Sequence, residues 1–409
     1  MAITISLANQ PELSELHLAY RPLVYKFSSD DGDIVSCVVE ILADDVRVSA
    51  RSVQPDINTA NEFTIDISSE AVKHVESTLS TLGGNGIITD ADAVNNFRIK
   101  IYEVTQPASV LVTDYDPSNA NNINYDAITT QIVVSNWTET HLDYNSYVLT
   151  DFLFNDSLTD SKFLSESTLV KDIELDQNEF LGFCYYTPVS TKDFEIEVLT
   201  YDSSGALLNT DLIKLTTWVT SWTNLIDIED QVYYYAGVGT QNLINEGVSL
   251  TNVSYYTVQL VNSVNNISEL RRYNIVTSCQ DDVRLHWFNK YGKQDSMTFK
   301  GNSSESVSMS TTSYEKALPN TYSSENRGTA TIQNIISNEF TVYSKSIGRD
   351  SYQFATSILN NNMAYVEIDG SYFPIQIIDT AVVKADRDNM PIQFSLTYRF
   401  ANRDKGLRG

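Results

Sequence analysis

The side chains with the most potential for chemistry in this sequence are four histidines and several acidic residues near turns. The histidines are His17, His74, His141 and His286, and none belongs to a His-Glu-x-x-His motif or a cysteine–histidine cluster. The sequence also contains no Gly-x-Ser-x-Gly elbow and no glycine-rich phosphate loop. Metal-assisted and nucleophilic catalysis depend on such spacings, because they bring ligands or a nucleophile and its base to one point. We therefore predict no enzymatic activity, with no catalytic, cofactor-binding or metal-binding residue, and we interpret His286 as a strand residue rather than a general base.

Three acidic segments are the remaining candidates for ligand binding or acid–base chemistry. Residues 114–119 place oxygen atoms at alternate positions, but they lack the central glycine and the closing glutamate of an EF-hand loop. The pairs Asp30–Asp31 and Asp281–Asp282 lie in predicted turns, where adjacent carboxylates diverge instead of flanking a sugar. We interpret all three segments as solvated turns and loops.

The clearest structural pattern surrounds His286. Leu285 and Trp287 alternate with Arg284 and His286, which is the two-residue period of a strand. Residues 289–292 supply turn chemistry that ends in a glycine, and apolar alternation resumes after them. The segment therefore predicts a β-hairpin, with Trp287 buried in a core and His286 on the opposite face.

The bulk composition is typical of a folded protein that is built mainly from strands. Of 409 residues, 42% are hydrophobic and 11% are aromatic, and tyrosine alone occurs 24 times. Aromatic residues favour strands, whereas asparagine, serine, threonine and aspartate between apolar runs favour turns. A chain of this length is sufficient for two to four domains that each bury a core.

The net charge limits the partners that the chain can bind. The formal charge is −26 and the sequence pI is near 4.4. Such a surface repels phosphate backbones, so we expect no sequence-specific binding of nucleic acid. Two uses of the charge remain open: it keeps an abundant protein soluble, which we favour, or it lines a conduit through which DNA passes without adhering.

Cysteine usage and hydropathy indicate a protein that is made in the cytoplasm. Cys37, Cys184 and Cys279 are far apart, and the first two lie in apolar strand-like runs, so we predict buried free thiols rather than disulfides. The first residues lack the basic and apolar regions of a signal peptide. No window of 18 apolar residues exists, so we expect no membrane association.

We predict a mainly β, multi-domain β-sandwich fold, Ig-like or jelly-roll-like, with a few short helices. The predicted organisation is an N-terminal β domain at residues 1–107, a linker or loop at 108–129, a central β-sandwich at 130–318 and a C-terminal α+β domain at 319–409. The central segment is compatible with one sandwich or with two that divide near residue 217.

Two short helices are predicted at residues 68–79 and 350–359, and the basic tail at 402–409 is expected to be mobile. A serine-, threonine- and asparagine-rich stretch at 302–327 precedes the last domain. Strands are predicted at the alternating segments 23–27, 34–42, 45–48, 63–67, 96–104, 194–199, 212–215, 232–235, 255–261, 328–343, 364–368, 372–378 and 392–400.

Several segments in order resemble a type of virion protein from tailed phages of gut Bacteroidota, including crAss-like phages. Residues 21–27 resemble the opening strand of that type, and residues 152–156 followed by 179–183 are similar to its middle region. The hairpin of Trp287, Asn289, Gly292 and Phe299 is the most specific match. Residues 372–377 and 396–402 resemble its ending.

The resemblance implies a tail, neck or ring component of the virion without enzymatic activity. It predicts a homo-oligomeric ring, twelve-fold or six-fold, that contacts other tail or portal proteins, with assembly in the host cytoplasm. The alternative is a receptor- or carbohydrate-binding adhesin of the tail-fibre type. That class favours a secretion signal or a trimeric fibre repeat, and the sequence contains neither.

Overall fold

The structure is a computed structural model, and most of the chain is described. The described residues are 3–5, 17–19, 22–57, 61–80, 87–90, 93–105, 112–113, 125–126, 130–133, 149–154, 160–185, 194–214, 232–262, 265–277, 282–301, 303–317, 321, 328–345, 347–360, 363–383 and 392–401.

Strands dominate the described residues. The strands of the first two thirds of the chain are β1 (Ile3–Ile5), β2 (His17–Leu18), β3 (Val24–Ser29), β4 (Ile34–Ala43), β5 (Val46–Val53), β6 (Glu62–Asp66), β7 (Ile87–Thr89), β8 (Val94–Thr105), β9 (Val112–Thr113), β10 (Tyr125–Asp126), β11 (Thr130–Val133), β12 (Leu153–Phe154), β13 (Val170–Ile173), β14 (Phe180–Tyr185), β15 (Phe194–Tyr201), β16 (Leu207–Lys214), β17 (Val232–Gly237), β18 (Tyr255–Asn262) and β19 (Arg271–Ile275).

The last third of the chain continues this pattern with longer strands. They are β20 (Val283–Phe288), β21 (Gln294–Phe299), β22 (Ser304–Glu315), β23 (Thr329–Tyr343), β24 (Ala364–Ile368), β25 (Ser371–Val383) and β26 (Gln393–Phe400). The short α-helices of the described residues are α1 (Ser68–Ala71), α2 (Thr240–Asn245) and α3 (Arg349–Thr356).

The chain forms two compact units that are both discontinuous in sequence. Unit 1 contains residues 1–172, 176–275 and 288–294. Unit 2 contains residues 173–175, 276–287 and 295–409. The strands of the predicted hairpin therefore belong mainly to unit 2, and its turn belongs to unit 1.

Unit 1 begins with two sheets that enclose one core. One sheet has the strand order β1-β3-β6, and the other follows β2-β11-β8-β4-β5, with β9 and β10 also paired to β8. Tyr25 and Phe63 from the first sheet share one buried cluster with Ile41 and Ile99 from the second. Alternate residues of both sheets therefore face inwards, which is the arrangement of a β-sandwich.

Two further sheets of unit 1 have the orders β12-β14-β17-β7 and β13-β19-β18-β15-β16. The first is filled by aromatic rings, and the ring of Phe183 lies 5.6 Å from that of Phe154 and 5.3 Å from that of Tyr234, measured between centroids. Strand β7 lies in the predicted N-terminal domain and pairs with β17 of the predicted central domain. The domain boundaries that the sequence suggests stay predictions.

Unit 2 is built on one seven-stranded sheet with the order β21-β20-β24-β25-β26-β23-β22. Phe354 of α3 and Ile358 just beyond it share a buried cluster with Trp287 and Leu396 of the sheet. The turn between β24 and β25 places Asp369 at φ +49° and Gly370 at φ +71°, the conformation of a type I′ hairpin turn. Helix and sheet therefore enclose a single core on one face.

The predicted fold class, mainly β with a few short helices and several packed sheets, is confirmed. The strands at 34–42, 96–104 and 364–368 were predicted from alternation, and each occurs within two residues of its predicted bounds. The hairpin of β15 and β16 turns at Gly205, which has φ +82°. Local alternation and turn chemistry determine these elements together.

The helix predicted over residues 68–79 is wrong in length, because α1 ends at Ala71. The following residues include Val72, Val75 and Thr78, which have low helix propensity. The backbone carbonyl of His74 accepts a hydrogen bond of 3.1 Å from Asn95 Nδ2, which belongs to β8. These β-branched residues and the burial of Val75 favour an end to the helix after its first turn.

Several predictions fall on residues outside the described ranges. These are the acidic loop at 114–119, the division near residue 217, the thiol of Cys279 and the basic tail at 402–409.

Candidate functional site

The turn of the predicted hairpin is formed as the sequence indicates. Gly292 has φ +73°, which a residue with a side chain rarely adopts. Asn289 Oδ1 accepts backbone N–H groups from Tyr291 at 2.9 Å and from Lys293 at 3.1 Å. Asn289 Nδ2 donates to the carbonyl of Leu164 at 2.9 Å. Asn289 thus satisfies two backbone N–H groups of the turn and holds the turn to Leu164 within unit 1.

Trp287 is fully buried in the core of unit 2, as predicted. Its ring lies 5.1 Å from the ring of Phe354. The indole Nε1–H donates to Ser357 Oγ at 2.9 Å, and Ser357 Oγ donates in turn to the carbonyl of Phe354 at 2.7 Å. The indole is therefore a core residue whose polar atom is satisfied.

The opposite face of β20 carries a charged network. His286 Nε2 and Glu367 Oε2 are 2.8 Å apart, and Arg284 Nε lies 3.6 Å from the same carboxylate oxygen. Arg284 also donates to Thr298 Oγ1 at 3.0 Å and to Ser296 Oγ at 2.8 Å. The pairing register of β20 with β24 brings Arg284 and Glu367 opposite each other.

The His286–Glu367 pair resembles half of an acid–base dyad, but its surroundings are those of a structural pair. The His286 side chain is 1% exposed, and its ring is closed over by Tyr372 at 4.8 Å in an edge-on contact. A general base must reach the proton that it removes. The predicted placement of His286 in a strand is confirmed, and the absence of a catalytic role stays a prediction.

A buried ion pair lies at the turn of the hairpin in unit 1. Lys293 Nζ donates to Asp90 Oδ2, and the two side chains are 0% and 1% exposed. The ammonium also lies 4.8 Å from the ring centroid of Tyr235. A Cβ on Gly182 would lie 2.5 Å from Lys293 Cγ, so the glycine leaves space for the lysine stem.

Burial controls the protonation of this cluster. It lowers the pKa of Lys293, while the charge of Asp90 acts in the opposite direction. Burial also raises the pKa of the neighbouring Cys184 thiol. Cys184 and Cys37 are both buried and free, as predicted, and burial together with the charge of Glu103 raises the pKa of Cys37 to about 12. Such thiols are poor nucleophiles.

A third charged cluster in unit 2 was not predicted as a unit. Lys300 Nζ lies 3.1 Å from Glu174 Oε1. Burial raises the pKa of Glu174, a hydrogen bond with Asp282 adds to this effect, and Lys300 opposes it. Carboxyls that share a hydrogen bond are closer than the roughly 5–9.5 Å that glycosidases require. The cluster therefore does not have the geometry of a glycosidase.

The other sequence candidates do not converge. His17 lies in β2, and the His74 ring lies 6.3 Å from that of Phe97, whereas His141 is outside the described residues. Asp31 Oδ1 accepts the backbone N–H of Asp33 at 2.9 Å, which is turn capping. Within the described part of the chain, no three histidine, cysteine or acidic side chains are grouped so that they could hold a metal ion.

The most distinctive surface is a long two-stranded extension of unit 2, which we name the arm. The arm consists of residues 306–315 of β22 and residues 329–339 of β23, which pair in antiparallel register from Ser306 opposite Glu339 to Glu315 opposite Thr329. Strand β23 pairs with β26 only from Phe340 to Tyr343, so the arm extends past the sheet. Ten residues of β22 extend past the sheet, which makes the arm about 33 Å long.

Apolar side chains are exposed along the arm. Val307 is 66% exposed, Met309 and Ile332 are each 64% exposed, and Tyr314 is 49% exposed. Val307 and Met309 lie two residues apart and therefore project from one face, which also carries Phe340 opposite Glu305. Because Phe340 packs against the core of unit 2, the exposed apolar face continues the core face of the sheet.

The arm carries charge only at its two ends, at Glu339 beside the sheet and at Glu315 near the tip. Residues 306–314 and 329–338 contain no aspartate, glutamate, lysine or arginine, although the chain carries a net charge of −26. Natural edge strands are usually protected by charged residues or proline. Strand β22 is the terminal strand of its sheet and has neither within residues 306–314. Apolar alternation in the sequence did not predict strand β22, because most of its residues are serine or threonine.

Among the described residues, the longest helix, α3, has eight residues and cannot cross a bilayer. No protein-family model matches the chain, and no curated protein matches it. The fibronectin(III)-like modules of Clostridium thermocellum CbhA match with 9% identity and a TM-score of 0.15, over 68% of this chain and 94% of that chain. A chimeric titin Z1Z2 with a KLER peptide from decorin matches with 11% identity and a TM-score of 0.14, over 68% and 98%. Structural similarities with TM-scores this low give no information about the fold beyond the sheets and cores described above.

Proposed function

We propose that this protein is a structural virion protein, a subunit of an oligomeric ring in a phage tail or neck. In this role it contacts neighbouring ring or portal proteins and catalyses no reaction. The ordered sequence motifs that resemble tailed-phage virion proteins suggest the class. The arm is the observation that carries the proposal.

The arm supports an assembly role because its exposure is costly unless a partner covers it. An isolated two-stranded hairpin is at best marginally stable in water. Exposed apolar strands with unprotected edges pair readily with other chains. A protein that keeps such a surface therefore gains from a regular partner. The buried Asp90–Lys293 pair is compatible with a structural role, since it joins distant segments of the chain.

The test is electron microscopy of the purified full-length protein and of the intact phage particle. Rings of twelve-fold or six-fold symmetry, with the chain present in the particle, are the expected result. A chain that stays monomeric at virion-like concentration and is missing from particles would contradict the proposal. A trimeric fibre would favour the receptor- or carbohydrate-binding alternative.

The net charge suggests a second element of the role, in which acidic side chains line a DNA conduit. Repulsion in water is about 1 kcal/mol for a close charge pair, and salt screens it within about 8 Å. Acidic residues on the inner wall of the ring would therefore keep DNA from adhering. A neutral or basic lumen in the assembled ring would refute the conduit role and leave the structural role standing.

A further inference from the structure

The arm needs a partner, and the charge distribution of the chain selects which one. Two copies of a protein with a net charge of −26 repel each other over most of their surfaces. Like charges placed across an interface weaken it strongly. Two copies can therefore meet most easily where the local charge is zero, and residues 306–314 and 329–338 satisfy this condition.

A partner of a different kind fits the arm less well. A basic protein or peptide gains most by binding acidic surface, and the arm offers none between Ser306 and Tyr314. A carbohydrate ligand needs convergent polar groups in a concave site, whereas the arm is a ribbon with Val307 and Met309 exposed on it. Between its terminal glutamates the arm is an uncharged, partly apolar ribbon, and this is the surface that a second identical chain tolerates.

From these observations we infer that the arm docks on a second copy of this chain and forms the subunit contact of the assembly. The inference rests on the proposed function, and it deepens that proposal by naming the partner and the contact. Val307 and Met309 become buried against the neighbour, and β22, which is the edge strand of its sheet among the described strands, offers its outer backbone groups for strand pairing. In a closed ring every copy docks its arm on one neighbour and receives the arm of the other, so each subunit takes part in two such contacts.

The test compares two double variants of the full-length protein. Val307→Glu with Met309→Glu places two charges on the arm, at side chains that are 66% and 64% exposed. Val46→Glu with Ile57→Glu is the matched control, since these side chains lie elsewhere and are 66% and 100% exposed. Both variants add the same charge to the chain. Substitutions at exposed positions leave stability nearly unchanged, and a thermal melt of each variant verifies this.

Self-association is measured by mass photometry and sedimentation over a concentration series, with negative-stain images of each sample. The arm variant is expected to associate at least about tenfold more weakly than wild type. The control variant is expected to associate like wild type. Amide hydrogen exchange in β22 is expected to slow as wild type assembles, and to stay fast in the arm variant.

Each other outcome contradicts either the inference alone or both the inference and the proposed function. If the arm variant assembles like wild type, or if the control variant dissociates equally, the arm is not the subunit contact, and rings in the images leave the proposed function standing. If wild type is monomeric but present in particles, another protein occupies the arm, and only the inference fails. If wild type is monomeric and absent from particles, both fail.

Discussion

Two antiparallel strand pairs follow each other in the last third of the chain and have opposite environments. The pair β20–β21 places Trp287 in a core, and its turn holds a buried lysine. The pair β22–β23 extends away from its sheet, with Val307 and Met309 exposed. The local backbone pattern is the same in both, so the difference comes from what lies beside each strand.

The comparison shows that the neighbours of a strand determine whether it is buried or exposed. Strand β20 has β24 beside it and a helix over one face, so each of its side chains has partners within the chain. Among the described strands, β22 has a neighbour on one side only, and most of its positions are serine or threonine. An interior strand is therefore specified by its own chain, whereas the arm has room for another chain. Four substitutions sharpen this comparison, from the largest effect to the smallest.

The largest effect is expected for Asp90→Ala. It leaves the ammonium of Lys293 buried without its carboxylate, and breaking a buried pair in this way costs about 3–5 kcal/mol. Chemical denaturation of the variant measures the loss. The double variant Asp90→Ala with Lys293→Met should recover part of it, because no charge is then buried.

The same variant has a predicted pH dependence. Burial lowers the pKa of Lys293 below its ordinary value of 10.5, so the unfolded chain binds more protons than the folded chain between these two values. Stability therefore rises with pH across that window. A denaturation midpoint of Asp90→Ala that is constant up to pH 10.5 would contradict the burial of a charged amine.

Trp287→Ala is expected to cost nearly as much, about 3–5 kcal/mol, because it deletes a large aromatic side chain from a packed core. Trp287→Phe should cost less, since most of the buried area remains. The melting temperature measures both. A melt of Trp287→Ala close to wild type, combined with loss of assembly, would instead make Trp287 an interface residue.

Glu367→Ala should have an intermediate effect of about 1.5–3 kcal/mol, since it removes the carboxylate that His286 and Arg284 contact. Gln376→Ala is the matched control, because Gln376 lies on the same face of the sheet. Its Oε1 accepts a hydrogen bond of 2.7 Å from Arg399 that is exposed rather than buried. The free energy of unfolding of both variants is measured by urea titration. Equal losses of this free energy would show that burial does not strengthen the Glu367 network.

The smallest effect on folding is expected on the arm. Met309→Thr changes a side chain that is 64% exposed, so the unfolding free energy should shift by no more than about 0.5 kcal/mol. A shift several times larger would mean that Met309 contributes to the folded core, and the contrast between the two strand pairs would weaken.

The sequence predicts the strands and turns that depend on nearby residues. The hairpin at Trp287 was correct because alternation and turn chemistry lie within one short segment. The helix predicted over 68–79 is too long, since α1 ends at Ala71, and the residues after it contact distant ones, as Asn95 does at the carbonyl of His74. Tertiary contacts of this kind override local propensity and leave no pattern in a window.

The arm and the buried charges were hidden for different reasons. Strand β22 is serine- and threonine-rich and its apolar alternation is limited to Val307 and Met309, so its pairing with β23 is what identifies it as a strand. The partners Asp90 and Lys293 are 203 positions apart, and neither has a distinctive neighbour in sequence. A charged residue alone in a sequence is more often on the surface than in a core. Pairs of this kind emerge only from the fold.

The separation of Asp90 and Lys293 has a consequence for how the protein is synthesised. The ribosome completes the Asp90 segment first and reaches Lys293 only 203 residues later. At about 5–20 residues per second, this delay is about 10–40 s. During that interval the space beside Asp90 must remain hydrated or be filled by other chain segments. Folding of unit 1 is therefore completed late in translation, when residues 288–294, which contain the hairpin turn, have been synthesised.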